Sequence, residues 1–444
     1  MKRTIQILTT AMFLFFCGAP SVHGQFFKKL KKKAEQAAER AIEKKVEEKA
    51  EKETEKAMDS LLNGSSKNKK GQSPVENRTS NKTNQSAQHQ ERNSGYAFKS
   101  YSKFDFISGE ELLTFEDFSQ DEVGDLPAKW NATNSVEVVT LQGIEGKWAK
   151  LVEGKGAFVP DFITDFPENF TLEFDVIYDF DIGEYALYRN LAVVFSDIEN
   201  PGYDLDSEQP GNNGFVFTIS GGISYNGFLE YQKYTPDKQL NTEAEKENAL
   251  LKKDNKGRGK VHHVSIWRQK QRMRVYFNEE KVFDIPRAFQ RDVSVNTVRF
   301  FSNISVPNTY FFISNLRYAI GKPDMRSKLI SEGRLVTYGI TFDVNSSDIK
   351  SSSFGTLKKI ATVLKENPTI EVSIVGHTDA DGSEEANQSL SEKRAAAVKL
   401  ALIHEFGVSA GQLSSVGKGE SELLDKGNSP ESKAKNRRVE FIKK

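Results

Sequence analysis

The rhythm of apolar and polar residues changes along this chain, and each change marks a boundary. Ile5 to Phe16 is a mostly apolar run behind the basic Lys2 and Arg3, and Gly24 supplies a small residue before Gln25. This pattern predicts a signal peptide over residues 1–24, with an apolar run too short for a membrane span. Residues 25–62 predict one charged helix, ended by Asn63-Gly64. Its apolar positions Leu30, Ala34, Ala38, Ile42, Val46 and Ala50 recur every fourth residue. On a helix of about 3.6 residues per turn, such a stripe winds around the axis and holds no coiled-coil seam. A spacer is the plain reading; Phe26, Phe27 and Leu30 with their lysines are a candidate contact with an anionic membrane surface. Residues 63–108 follow as a disordered linker, rich in Asn, Ser, Gln and Lys for most of their length.

From residue 109 to 322 the period becomes two. Leu172, Phe174, Val176, Tyr178 and Phe180 alternate with Glu173, Asp175 and Asp179, which predicts a strand with one buried and one wet face. Further strands are expected at 214–220, 261–268, 298–301 and 311–320, with a hairpin around Asn278-Glu279-Glu280. Short strands without alternating helices predict an all-β sandwich. Beyond residue 325 strands and helices alternate. Strands are expected at 339–344, 369–375, 413–416 and 437–442. Helices are expected at 354–365, stopped by Asn367-Pro368, and at 384–406, ended by Gly407.

Composition adds limits. The 444 residues hold 62 Lys plus Arg against 62 Asp plus Glu, so nothing global points to nucleic acid. Thirty-one phenylalanines supply enough apolar mass for sizeable cores. The single cysteine, Cys17, lies in the signal segment behind Phe16. Ordinary cleavage near Gly24 is expected over lipidation, leaving a mature chain without disulfides. A long run of alternating lipid-facing strands is lacking, so no transmembrane barrel is expected ahead of residue 325.

The sharpest chemistry lies at the C-terminal end. Gly376-His377-Thr378-Asp379 follows a strand, Asn387-Gln388-Ser389-Leu390-Ser391-Glu392-Lys393-Arg394-Ala395 lies on the next helix, and Lys435-Asn436-Arg437-Arg438-Val439-Glu440-Phe441 closes the domain. No nucleophile–base pair accompanies them, so the segment reads as a receptor. These motifs, in this order, resemble the OmpA-like C-terminal domain over about residues 325–444, an α/β fold of βαβαββ type. The resemblance implies binding of peptidoglycan through the diaminopimelate of its stem peptide. Asp379 would take the ammonium and Arg394 the carboxylate of that zwitterion, and a planar guanidinium suits the second task. Thr378, Asn387, Leu390 and Arg438 match supporting positions. The plain alternative is an ordinary Asp379–Arg394 ion pair. The region 109–322 more weakly resembles a concanavalin-like jelly roll of laminin G type, on Phe115-Glu116-Asp117-Phe118, Leu126-Pro127-Ala128-Lys129-Trp130 and Phe312-Ile313-Ser314-Asn315-Leu316-Arg317-Tyr318. Fold alone does not choose among sugar binders, glycosidases and adhesion modules.

Other candidates weigh less. His262-His263 sit on one strand and point to opposite faces, against joint metal ligation. His377 is expected to orient its loop. Asp175, Asp179, Asp181 and Glu184, and Asp204, Asp206 and Glu208, are acidic clusters without the spacing of a calcium loop. Trp130, Trp148 and Trp267 are expected in the core. The resulting expectation is a secreted, periplasmic, outer-membrane-associated tether. It is non-enzymatic and needs no cofactor or metal. It grips peptidoglycan and keeps its sandwich for a glycan or an envelope protein. The competing expectation is a wall-anchored enzyme with a glycan-hydrolysing sandwich.

Overall fold

The computed structural model describes residues 104–444 except 182–188, 199–204, 206–212, 225, 235–239, 253, 255 and 292–293. The expected signal peptide, charged helix and most of the expected linker lie outside the described residues, as do Glu184, Asp204, Asp206 and Glu208.

Two antiparallel sheets make the first domain. One runs, edge to edge, Glu280–Ile285, Arg272–Phe277, His262–Gln269, Asn169–Asp179, Tyr310–Ile320, Ile144–Leu151 and Val136–Leu141, with Glu111–Glu116 also paired to Tyr310–Ile320. The other runs Leu240–Lys252, Asn226–Tyr234, Asn213–Ser224, Arg189–Asp197, Thr297–Ile304, Gly154–Pro160 and Trp130–Ala132. Their facing side chains form one core that includes Phe170, Leu172, Phe174 and Val176 from one sheet and Leu191, Val193, Phe195 and Phe300 from the other. The three tryptophans are buried, and Trp130 stacks on Phe158 at 4.0 Å between ring centres.

The second domain is a four-stranded sheet in the order Arg334–Thr337, Val439–Lys443, Val372–Gly376, Leu413–Gly417. Val372–Gly376 and Leu413–Gly417 are parallel, and helix Glu384–His404 crosses between them. The buried residues of that helix, Asn387, Ser391, Ala395, Val398 and Leu402, follow a helical period and face the sheet. Helix Phe354–Glu366 packs Leu357, Ile360 and Leu364 into the same core, and a short helix, Pro430–Asn436, precedes the last strand.

Three expectations are corrected. The strand expected at 339–344 is Arg334–Thr337 instead, and 339–344 forms a loop with one isolated bridge, Phe342 to Ile349. Asn345 takes a left-handed φ of 52° there, which turns the chain out of an extended run. The linker does not reach 108. Phe104 and Phe106 are buried, with Phe106 edge-on to Trp267 and Tyr276. Ile107 packs toward the second domain's core, so this segment joins the two domains. The supposedly wet face of Asn169–Asp179 is covered as well: Glu173 and Asp175 are only 8% and 9% exposed. A strand's periodicity marks the face its own partner sheet buries; it carries no mark for a second covering element far along the chain.

Gly355 is where the joining segment crosses helix Phe354–Glu366. A Cβ there would lie 2.0 Å from the carbonyl oxygen of Phe106. Backbone cannot yield that space cheaply, so Gly355→Ala is expected to cost at least about 1–3 kcal/mol. A lowered thermal midpoint with new protease sensitivity near residue 106 would register it; an unchanged melt would mean that the segment can dock elsewhere.

Candidate functional site

The Gly-His-Thr-Asp turn is fixed from three sides. Gly376 ends its strand hard against helix Glu384–His404, and a Cβ would lie 2.5 Å from the Ser391 carbonyl oxygen. The His377 amide donates to the Arg438 carbonyl at 3.1 Å, and the Thr378 amide to the Gly419 carbonyl at 3.0 Å. Asn387, buried at the first turn of the helix, donates from Nδ2 to the carbonyls of Asp379 and Asp381 at 3.3 and 3.1 Å. Ser383 caps that helix, its hydroxyl accepting from the Ala386 amide.

Asp379 therefore stands on a braced turn with its side chain 13% exposed. One oxygen, Oδ2, accepts from Arg437 Nη1 at 2.6 Å. Oδ1 takes only a long 3.3 Å contact from the Asp381 amide and keeps acceptor capacity. Arg394 lies fifteen residues on, two turns after Asn387 along the helix. Its Nε donates to the Ser346 carbonyl at 2.9 Å, Nη2 reaches the Asp343 carbonyl at 3.4 Å, and its guanidinium stands 4.9 Å from the Phe342 ring centre. The 339–344 segment thus fails as a strand where it turns carbonyls toward an arginine. Burial, then the nearby Arg437, hold the Arg394 guanidinium below its ordinary range, and Asp379 only partly opposes this. Among the described residues no carboxylate pairs with Arg394 within 4.0 Å, so the plain Asp379–Arg394 ion pair does not form. Both residues line one cavity of about 780 Å³, together with Thr378, Asn387 and Leu390.

The closing Asn-Arg-Arg run divides its labour. Asn436 accepts the amides of Leu424 and Asp425 and so holds that loop. Arg437 holds Asp379. Arg438, expected beside the ligand, is 2% exposed and donates to Glu440 Oε1 at 2.7 Å. Glu440 also takes two bonds from Arg334, at 2.9 and 2.8 Å, and lies 3.5 Å from His377. Although Arg438 reaches the cavity lining, its donors are committed to Glu440 and to the carbonyls of Asn436 and Glu422. Arg437 was the residue that sequence reasoning missed: the motif marks two adjacent arginines without saying which faces the acid. Burial, then Arg438, push His377 down to about 4, so it is neutral at neutral pH.

The other wall of the cavity belongs to the two-sheet domain, with Glu173, Asp175, His263, Asn315 and Arg317 among its residues. Strand pairing sets His263 opposite Asp175. His263 Nδ1 is 2.7 Å from Asp175 Oδ1, and Nε2 is 3.5 Å from Glu173 Oε2. Asn315 donates to Asp175 at 2.8 Å and Ser108 to Glu173 at 3.0 Å. Of the rest of the acidic cluster, Asp179 and Asp181 both hold Arg258. His262 is buried, with Nε2 at 2.8 Å from the Gly257 carbonyl oxygen.

Burial alone would push His263 down, but Asp175 and Glu173 outweigh it and push it up to about 9. An unfolded histidine titrates near 6.5. The charged imidazole therefore stabilises the fold fully below about pH 6.5 and loses that contribution as pH rises through about 9. His263→Gln is expected to flatten the fall in thermal midpoint between pH 6.5 and 9, a difference on the order of 3 kcal/mol at its largest. Parallel pH profiles for the two proteins would contradict the assignment.

Residues 341–437 are an OmpA family domain. Outer membrane porin F of Pseudomonas aeruginosa is 38% identical over 111 residues, covering 25% of this chain and 32% of that protein. The peptidoglycan-associated lipoprotein of Pseudomonas putida is 41% identical over 102 residues, 23% of this chain and 60% of that protein. The chain thus spans less than two thirds of either relative. The crystal structure of the peptidoglycan-associated lipoprotein from Burkholderia pseudomallei aligns at 32% identity over 24% of this chain and 88% of that one, with a TM-score of 0.23.

Proposed function

We propose that this protein is a non-covalent tether of the cell envelope, whose C-terminal domain grips peptidoglycan at the periplasmic side of an outer membrane. Asp379 receives the ammonium and Arg394 the carboxylate of the stem peptide's diaminopimelate. The observation that carries this reading is that Arg394 meets no carboxylate among the described residues, while Asp379, held by Arg437 through Oδ2, keeps Oδ1 open to a further donor. Asp379 and Arg394 share one cavity without neutralising each other, and Arg394 is held only by backbone carbonyls. A zwitterion completes both, and the fixed fork of a guanidinium suits its carboxylate. Relatives named for association with peptidoglycan support the ligand class. Thr378, Asn387 and Leu390 shape the site, and Arg437 orients Asp379 from behind.

A tether fits the two-sheet wall better than a hydrolase does. A glycosidase needs one carboxylic acid kept protonated by its surroundings. Burial pushes Glu173 and Asp175 upward, but His263, together with Arg317 and Ser108 at Glu173 and Asn315 at Asp175, outweighs it and leaves both below their ordinary range. The two-sheet domain then serves a second partner, a glycan or an envelope protein, and two weak contacts on one chain gain avidity.

The test is co-sedimentation of the full chain with purified diaminopimelate-type sacculi, competed by free diaminopimelate. Displacement by the free amino acid is the expected result. Failure to sediment, with a folded protein, would reject the wall reading.

A further inference from the structure

Arg317 comes from strand Tyr310–Ile320 of the two-sheet domain, yet it lines the same cavity as Asp379 and Arg394. Its side chain is 13% exposed, and its buried Nε and Nη2 have no hydrogen-bond acceptor. The nearby carboxylate oxygen, Glu173 Oε1, is 3.8 Å away, too far for a hydrogen bond. That oxygen already accepts from Ser108, and the other oxygen of Glu173 faces His263. The ring of Tyr338 lies 6.0 Å from the Arg317 guanidinium and offers no acceptor atom of ordinary strength. On the C-terminal domain's side, Thr378 Oγ1 is also buried without a partner.

Glu173 thus meets the charge of Arg317 without a hydrogen bond, and buried charged donors without acceptors cost free energy that a native fold tolerates where something else fills the place. Burial holds the Arg317 guanidinium below its ordinary range; the charge of Glu173 opposes this, and that of Arg437 adds to it. Arg437 spends Nη1 on Asp379. Two guanidiniums from different domains thus line one cleft, and Arg317 brings Nε and Nη2 without acceptors to it. A carboxylate is a planar acceptor that satisfies such a pair. The diaminopimelate zwitterion is already matched by Asp379 and Arg394, so this carboxylate belongs to another part of the ligand. A cavity of about 780 Å³ has the size of sites that take ligands larger than one amino acid.

We propose that Arg317 and Arg437 form a second anion subsite, which binds a further free carboxylate of the wall peptide, so that both domains hold one ligand. This rests on the wall reading above. The two-sheet domain then helps select the ligand: stem peptides with a free carboxylate next to the diamino acid are favoured over those capped or amidated there.

The test uses the full chain and two synthetic peptides carrying diaminopimelate with its side-chain end free, one ending in a carboxylate and one in an amide. Wild type is expected to bind the acid about tenfold tighter or more, the worth of one charge-assisted contact. Arg317→Gln should lose that preference while still binding the amide peptide as wild type does, and Arg317→Lys should keep only part of it. Equal binding of acid and amide by wild type would overturn the subsite and leave the wall reading standing. Binding of neither peptide would overturn both. Because the acid–amide comparison is made on wild type, it decides the matter even if Arg317→Gln folds poorly.

Discussion

Asp379→Asn is expected to remove wall binding while leaving the thermal midpoint near that of wild type. Asparagine keeps the shape of the side chain and can still accept from Arg437, so the braced turn persists. The lost charge falls on the ligand's ammonium, which would be desolvated in the cavity without its counter-ion. Truncating one partner of such a pair costs about 2–5 kcal/mol, roughly thirtyfold or more in Kd. Asp379→Ala should bind as poorly and melt slightly lower, because it strips Arg437 of its 2.6 Å partner. Co-sedimentation with sacculi and a thermal melt on the same preparations check both halves. Wild-type sedimentation by Asp379→Asn would remove Asp379 from the ligand site.

Arg438→Ala is expected to act on the fold first. Arg438 and Glu440 are 2% and 1% exposed and share a 2.7 Å bond. Deleting the cation leaves the buried carboxylate to Arg334, whose side chain is 53% exposed, and to a neutral histidine. Breaking a buried pair from one side costs about 3–5 kcal/mol, a large share of a domain's stability. Glu440→Gln should do comparable damage by leaving two guanidiniums facing each other. Urea titration followed by circular dichroism measures the loss. If Arg438→Ala melted as wild type and failed only to bind sacculi, Arg438 would return to the ligand site.

The contrast between these arginines shows where sequence reading stops. Arg437 and Arg438 lead from helix Pro430–Asn436 into strand Val439–Lys443, where successive residues face opposite ways. One of Arg437 and Arg438 must turn to the cleft and the other to the sheet's interior, but which is which depends on register. Val439 pairs with Gly376 on one side and Thr337 on the other, and that long-range pairing sends Arg437 to Asp379. Strand Leu240–Lys252 makes the same point. Glu243, Glu245 and Glu247 are poor strand formers. Pairing with Asn226–Tyr234 at the sheet edge makes them a strand, with charges at the exposed positions as an edge strand requires.

What the sequence determined by itself was local. The helix Glu384–His404, its Ser383 cap and Gly407 stop, the alternation in Asn169–Asp179, and the spacing that puts Asp379 and Arg394 within reach are all written in near neighbours. Tertiary structure alone decided the second wall. Glu173, Asp175, His263 and Arg317 face the C-terminal domain's cavity because residues 104–108 and the loop at 339–352 cover that face. Short-range periodicity records which residues one partner sheet buries. It holds no record of a cover that comes from elsewhere in the chain, since that contact is set by how two finished domains meet.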